Sequence, residues 1–329
     1  MGRDVVFKGP HTGEGRPQIL LIGNGLERCG GQVSWDALVD QIKVANRISL
    51  TGAEEAEIKK TISFPLLYEL YATPSPAPMP ILTEGIKEEE ARLKNAVANL
   101  LHSPNPVMRE LCSLNVDHIM TTNYSYCLEN SLLEREQNTI PNLSKYRFDL
   151  RTAPQKEGRK VERYYRLHTG YLIRNIGLWH IHGECCSPRG IVLGYDRYGR
   201  LLSKIVEAVE KLPYTKKEMA RDRQFRSWPE LFLFGDIYIL GFEMNLCEMD
   251  LWWLLRRKQR EKYGDGKVWF YGSEMEKRTD KQLLLMANGV ELVDMKMGLL
   301  ASGDDYISFY RAAMGDIRKR VSQARKKRF

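Results

Sequence analysis

Short apolar runs that end in polar or glycine-bearing turns punctuate this chain and predict most of its elements. The first, PQILLIGNGLER (17–28), has the length of a strand and ends in a Gly-x-Gly turn. In SWDALVDQIKVANR (34–47), Trp35, Leu38, Val39 and Ile42 share one helical face, Ser34 stands where an N-cap belongs, and Asp36 lies in the first turn. The chain therefore opens strand, glycine loop, helix. Helical spacing continues over 53–102, interrupted by the proline-rich TPSPAPMP (73–80), and predicts a helical insertion over about 53–110. MRELCSLN leads into a second apolar strand with a polar end, VDHIMTTNYS (116–125).

GLWHIHGE (177–184) and GIVLGYDRY (190–198) read as strands from their β-branched content. LFLFGDIYILGF (231–242) reads as one long buried strand or two short ones. Strand VWFYGS (268–273), a helix over about 279–288, strand VELVDM (290–295) and a helix near 306–325 close the chain, whereas no periodicity assigns 131–176. Alternating strands and helices predict an α/β fold: a Rossmann-like parallel sheet with helices on both faces and a helical subdomain. The expected organisation is a flexible segment 1–16, a domain over 17–300, and a C-terminal helix with a basic tail over 301–329.

With 329 residues, 43% hydrophobic, the chain has ample material for a core. Its apolar runs stop well short of the roughly 18 residues a membrane helix needs. MGRDVVFKGP carries neither a secretory apolar stretch nor the Ser or Thr at residue 6 that myristoylation wants, so a cytoplasmic protein is expected. Six cysteines without a CxxC pair exclude a disulfide framework and a zinc knuckle. Cys185 and Cys186 invite a redox reading, but strand neighbours point to opposite faces, and buried reduced thiols are expected. The formal charge of +8 concentrates in RRKQREK (256–262) and RKRVSQARKKRF (318–329), read as a solvated helix face and a frayed tail. Nucleic acid is not the expected ligand of this tail.

Ligands of open α/β sheets bind where strand carboxyl ends and helix N-termini converge. Polar and glycine residues collect at four such ends: Gly23-Asn24-Gly25, Thr122-Asn123-Tyr124, His182-Gly183 and Gly241-Phe242. Glycine at 23 and 25 lets backbone N–H groups approach a pyrophosphate, although Arg28 replaces the third glycine of a dinucleotide fingerprint. His182 is placed to act as a general base, and Asn123 offers an amide for a sugar hydroxyl or a water. Each taken singly also fits a turn or core role. His180, on the same strand face as His182, raises a weak HxHxE metal pattern with Glu184.

In their order these segments resemble the sirtuin-like NAD hydrolases of bacterial anti-phage defence. LLIGNGLERCGGQVSWDALVDQI is similar to that family's Gly-Ala-Gly-x-Ser loop and following helix, IMTTNYSYCLEN to its Thr-Asn-Tyr-Asp strand end, and WHIHGE to its His-Gly motif. IYILGFEMNLCEMDLWWLL is similar to its Leu-Gly-Tyr-Ser segment with a downstream Asp. The resemblance implies NAD as substrate and no metal, with Asn123 and His182 as the catalytic pair and Gly23, Asn24, Gly25, Glu27, Thr122, Tyr124, Gly183, Gly241 and Phe242 around the nucleotide. It further implies a homo-oligomer held in check by a partner, such as a sensor or a motor ATPase. Two departures stand out, since Glu27 replaces the loop serine and Ser125 the strand-end aspartate. They leave open a module that senses NAD or ADP-ribose without turnover. GNGLE also nearly matches the Gly-Asn-Gly-Phe-Asp opening of an abortive-infection family. Absent Cys pairs argue against a protein deacylase.

Overall fold

Every residue of Gln18–Ile22 (β1) is buried, with Leu20 and Ile22 packed into one hydrophobic core and Ile19 and Leu21 into another on the opposite face. Such a two-sided strand belongs at the centre of a parallel sheet. The computed structural model describes residues 16–72, 82–150, 165–212, 225–273, 275, 279–298, 300 and 302–326, without the side chains of 82–86. Residues 1–15, most of the expected flexible segment, lie outside that set.

Around β1 run His118–Thr121 (β2), Arg147–Asp149 (β3), Thr169–Ile173 (β4), Ile176–His180 (β5), Asp236–Leu240 (β6), Val268–Gly272 (β7) and Val290–Asp294 (β8). They form one sheet in the order β3-β4-β5-β2-β1-β6-β7-β8. All pairings from β5 across to β8 are parallel, while β3–β4 and β4–β5 are antiparallel. The fold is therefore α/β and Rossmann-like, with an antiparallel margin that the sequence did not announce. That margin lies in 131–176, where three- and five-residue strands leave too short a pattern to read.

One core gathers helices Asn24–Arg28 (α1), Trp35–Ala45 (α2), Phe64–Ala72 (α4), Leu82–Ala96 (α5), Pro106–Glu110 (α6), Cys127–Leu132 (α7) and Gly303–Lys326 (α12). Ser34 caps α2 by accepting from the Ala37 N–H, and Thr51 closes a capping box on Gly52–Thr61 (α3). The other core gathers Tyr195–Glu210 (α8), Trp228–Phe234 (α9), Met249–Glu261 (α10) and Asp280–Ala287 (α11). No described helix is long and apolar enough to cross a membrane.

Two expected strands are corrected. GIVLGYDRY forms none: Ile191–Leu193 is buried but irregular, and α8 begins at Tyr195 with Tyr198, Leu201, Ile205 and Val209 buried at helical spacing. The first half of LFLFGDIYILGF is α9, because Ser227 accepts from the Glu230 N–H and Pro229 occupies the first turn. Only Asp236–Leu240 is strand.

The basic runs are structural as well as solvated. In α12, Phe309, Tyr310, Ala313, Met314, Ile317 and Val321 are buried, while Arg318 bonds Ser113 and Arg325 bonds Asn115 and Asp117, so described turns up to Lys326 are docked. Lys258 is buried, and its Nζ donates to the carbonyls of Phe232, Leu233 and Gly235 at 3.2, 2.9 and 2.7 Å. Phe232 and Leu233 are last-turn acceptors of α9 and Gly235 is its C-cap, so none finds a partner within so short a helix. Lys258→Met keeps the aliphatic stem and removes the donors. Urea titration is expected to show a loss of about 2–3 kcal/mol, and an unchanged midpoint would disprove the capping role.

Candidate active site

From β1 the chain first builds the sheet toward β2, and from β5 it returns to the other side of β1 as β6, so the strand order reverses between β1 and β6. Crevices at such a reversal bind ligands, because the two flanking loops diverge there. A cleft of about 530 Å³ opens at this point, within the range of small-molecule sites. All five central strands supply its lining: Asn24 and Gly25 after β1, Thr122 and Tyr124 after β2, His182 after β5, Gly241 and Phe242 after β6, and Gly272 and Ser273 at β7. Trp35 from α2 and Tyr310 from α12 add aromatic walls.

His182 does not lie on its strand. β5 ends at His180, and His182 sits in the following turn, made sharp by Gly183 at φ +94°. A Cβ on Gly183 would stand 2.3 Å from the Gly190 carbonyl oxygen. Only 2% exposed, His182 places Nε2 2.9 Å from Oδ2 of fully buried Asp250 in the first turn of α10, with Tyr198 edge-on to the ring. Glu248 Oε2 lies 3.7 Å from Nδ1 and accepts a hydrogen bond from the Tyr198 hydroxyl. Burial alone would push the imidazole down, but the charge and hydrogen bond of Asp250, with Glu248 behind, hold it above its usual value. Burial, joined by the charge of Asp250, pushes the Glu248 carboxyl up to about 7. Here is a histidine oriented by one carboxylate and facing a second group able to relay its proton.

The same three residues place possible metal-ligand atoms within 4.8 Å of one another. Asp250, however, sits on Nε2 and Glu248 on the Nδ1 side, so an ion on one ring nitrogen has one carboxylate beside it and the other anchoring the ring. The HxHxE pattern is not assembled. Both nitrogens of His180 are engaged, Nδ1 with the Asn123 carbonyl and Nε2 with Glu129, each at 2.8 Å. Burial opposes the His180 charge, yet Glu129 lifts the ring to about 9, so both nitrogens donate at neutral pH. Glu184 is held by Arg166 and the Tyr171 hydroxyl.

Asn123, 3% exposed, lies beneath the cleft and lines a small adjoining cavity with Asn24, Glu27, Tyr124 and Ser125. Its Nδ2 donates to the Gly23 carbonyl at 3.2 Å. Its Oδ1 has no hydrogen-bond partner among the described residues, nor do the buried Thr122 Oγ1 and Asp250 Oδ1. Orphaned acceptors at converging strand ends fit a site that takes up a polar ligand or water.

Glu27 and Ser125 meet in space: the Ser125 hydroxyl donates to the Glu27 carboxylate, 2.8 Å from both oxygens. Gln32 also donates to Glu27, yet burial outweighs these bonds and raises its carboxyl. A folded-state value above the unfolded one favours folding at low pH, and that contribution disappears as pH rises through the folded value. Glu27→Gln is therefore expected to melt about 2–4 °C higher than wild type near pH 8 and at the same temperature near pH 4. Calorimetry at the two pH values checks this, and equal shifts at both would contradict it.

Of the residues singled out from sequence, Asn24, Gly25, Thr122, Tyr124, His182, Gly241 and Phe242 line the main cleft, while Asn123 and Glu27 border the smaller cavity. Gly183 borders a different pocket, with Glu184 and His180. Gly23 and Gly25 serve close packing. A Cβ on Gly23 would meet Phe242 at 2.6 Å, and one on Gly25 the Tyr310 hydroxyl at 2.4 Å. The Gly25 N–H is committed to the Gly241 carbonyl, which corrects its expected role as a phosphate donor. Arg28, in place of the third glycine, is exposed on the cleft wall and makes no ion pair among the described residues. Glu248, Tyr198 and Trp35 were not singled out as site residues. The downstream Asp of the resemblance was the only pointer to Asp250. No protein-family model matches the chain, and no curated protein does.

Proposed function

We propose that this protein is an NAD glycohydrolase that converts NAD and water to nicotinamide and ADP-ribose. The observation that carries the proposal is the buried Asp250–His182 pair opening onto a cleft at the reversal point of a parallel sheet. In this mechanism NAD lies across the strand ends, its pyrophosphate toward Asn24 and the Arg28 guanidinium and its nicotinamide ribose toward His182 and Asn123. The C1′–N bond breaks and its electron pair leaves with nicotinamide, already a cationic leaving group. Water adds to C1′, its position set by the Asn123 Oδ1, and its proton passes to His182 Nδ1 and on to Glu248. Asp250 keeps the ring oriented and balances the imidazolium that forms.

By its resemblance to defence hydrolases, the protein would act in the cytoplasm as a homo-oligomer that depletes NAD on infection, under control of a sensor or motor ATPase partner. A second reading, a module that binds NAD or ADP-ribose without turnover, is favoured by one feature: Asn123 borders the small cavity and not the main cleft. Purified protein incubated with NAD separates the two. Release of nicotinamide with equimolar ADP-ribose supports hydrolysis, whereas saturable NAD binding with no product, even with a partner supplied, selects the sensor.

A further inference from the structure

Cys185 and Cys186 are not the strand neighbours expected, since β5 ends five residues before Cys185. They form the two central residues of a turn closed by the Ser187 N–H donating to the Glu184 carbonyl at 2.9 Å. In a turn the two side chains are not driven to opposite faces as they are in a strand, and the two thiols influence each other's ionisation. Cys186 is exposed and Cys185 buried, so one sulfur meets solvent while the other waits behind it. The neighbouring Cys185 thiol, with Tyr126 beyond it, lowers the Cys186 thiol to about 6, whereas the partly exposed Cys29, Cys112 and Cys247 are all raised by burial.

We propose that Cys185 and Cys186 form a peroxide-reactive modification site that closes to a disulfide between adjacent residues and acts on the strand-end cleft through Tyr124. The Cys186 thiolate attacks a peroxide oxygen, the O–O bond breaks, and hydroxide or alkoxide leaves and takes up a proton, giving a sulfenic acid. Cys185 then attacks the Cys186 sulfur, the S–O bond breaks, and the hydroxyl leaves as water with the Cys185 proton. Two thiols lose two electrons and the peroxide gains them. The link to the cleft is short: the Cys185 N–H donates to the Tyr124 carbonyl at 2.9 Å, and Tyr124 lines the cleft and meets Trp35 edge to face at 5.0 Å. His182 stands three residues before Cys185 in the same loop. Closing an eight-membered ring turns the peptide between the two cysteines and with it the Cys185 N–H.

The test uses the whole protein, hydrogen peroxide, alkylation and peptide mass spectrometry, with no need for NAD. The peptide bearing both cysteines is expected to lose two hydrogens, resist alkylation and recover with dithiothreitol, at least about tenfold faster than oxidation at Cys29, Cys112 or Cys247. Cys185→Ser should instead trap a dimedone-reactive sulfenic acid at Cys186, and Cys186→Ser should give neither product. Oxidation of Cys186 no faster than of the other cysteines, or linkage to any sulfur but Cys185, would overturn the site. Amide hydrogen exchange in 121–126 should quicken on ring closure, and exchange identical in both redox forms would overturn the link to the cleft.

Discussion

Asp250→Asn protein should fold and bind NAD yet cleave it roughly 10³–10⁴-fold more slowly, as expected when the carboxylate orienting a catalytic histidine becomes an amide. Asp250 Oδ2 accepts from His182 Nε2 at 2.9 Å with both groups buried, so the carboxylate fixes which nitrogen carries the proton and leaves Nδ1 as the acceptor. An asparagine there can turn its NH2 toward the ring, which moves the ring proton to Nδ1 and blocks the base. The imidazolium formed on proton transfer also loses its balancing charge. His182→Ala should cost as much, and the double variant little more than either single one, because the two residues act as a unit.

The pH profile carries the same information with a definite sign. A general base works deprotonated, and Asp250 and Glu248 hold His182 above its usual value. The wild-type rate should therefore climb with pH beyond the ordinary histidine range, and in Asp250→Asn the residual climb should move to lower pH. Stability runs the opposite way. The pair stabilises the fold fully below the unfolded histidine value of about 6.5, and this contribution is lost as pH rises through the folded value. Nicotinamide release measured across pH decides the matter: a wild-type rate and an unmoved limb in Asp250→Asn would remove His182 as the base.

The parallel core of the fold was legible because its strands are two-sided and apolar and their ends carry glycine or polar residues, as at Gly23 and Thr122. What escaped was written in weaker signals. The Ser-x-x-Glu cap over 227–230 marks a helix start, but the apolar run after it obscures the boundary between α9 and β6. Tyr198, Leu201, Ile205 and Val209 spell a helix face beyond a β-branched stretch that looks like strand. At the site, His182 and Asn123 are visible as residue types, whereas Asp250 and Glu248 lie 68 and 66 residues from His182 and join it only through packing of α10 against the sheet. No local pattern encodes such a meeting. The hydrogen bond between Ser125 and Glu27 is invisible in the sequence for the same reason, since 98 residues part them.

Asn123→Ala is expected to lower NAD cleavage by about 10²–10³-fold while changing stability by no more than about 1 kcal/mol. The small stability effect follows because truncation removes one donor bond, to the Gly23 carbonyl, and also one buried acceptor, Oδ1, that has no partner. The large rate effect follows from how firmly that acceptor is aimed. Nδ2 is fixed by the Gly23 carbonyl, and the main chain of Asn123 is gripped from both ends, its N–H by Thr121 and its carbonyl by charged His180. The amide cannot flip without leaving Nδ2 unsatisfied, so Oδ1 is the atom left to orient water or a ribose hydroxyl. Asn123→Asp is a sharper variant, since it sets a second carboxyl beside buried Glu27 and should lose stability as well as rate, most of all at high pH where both would ionise. Calorimetric NAD binding alongside nicotinamide release separates the roles. Binding kept within a few-fold with turnover lost places Asn123 in the chemical step, whereas turnover kept at the wild-type rate in Asn123→Ala would leave the Asp250–His182 pair to act without it.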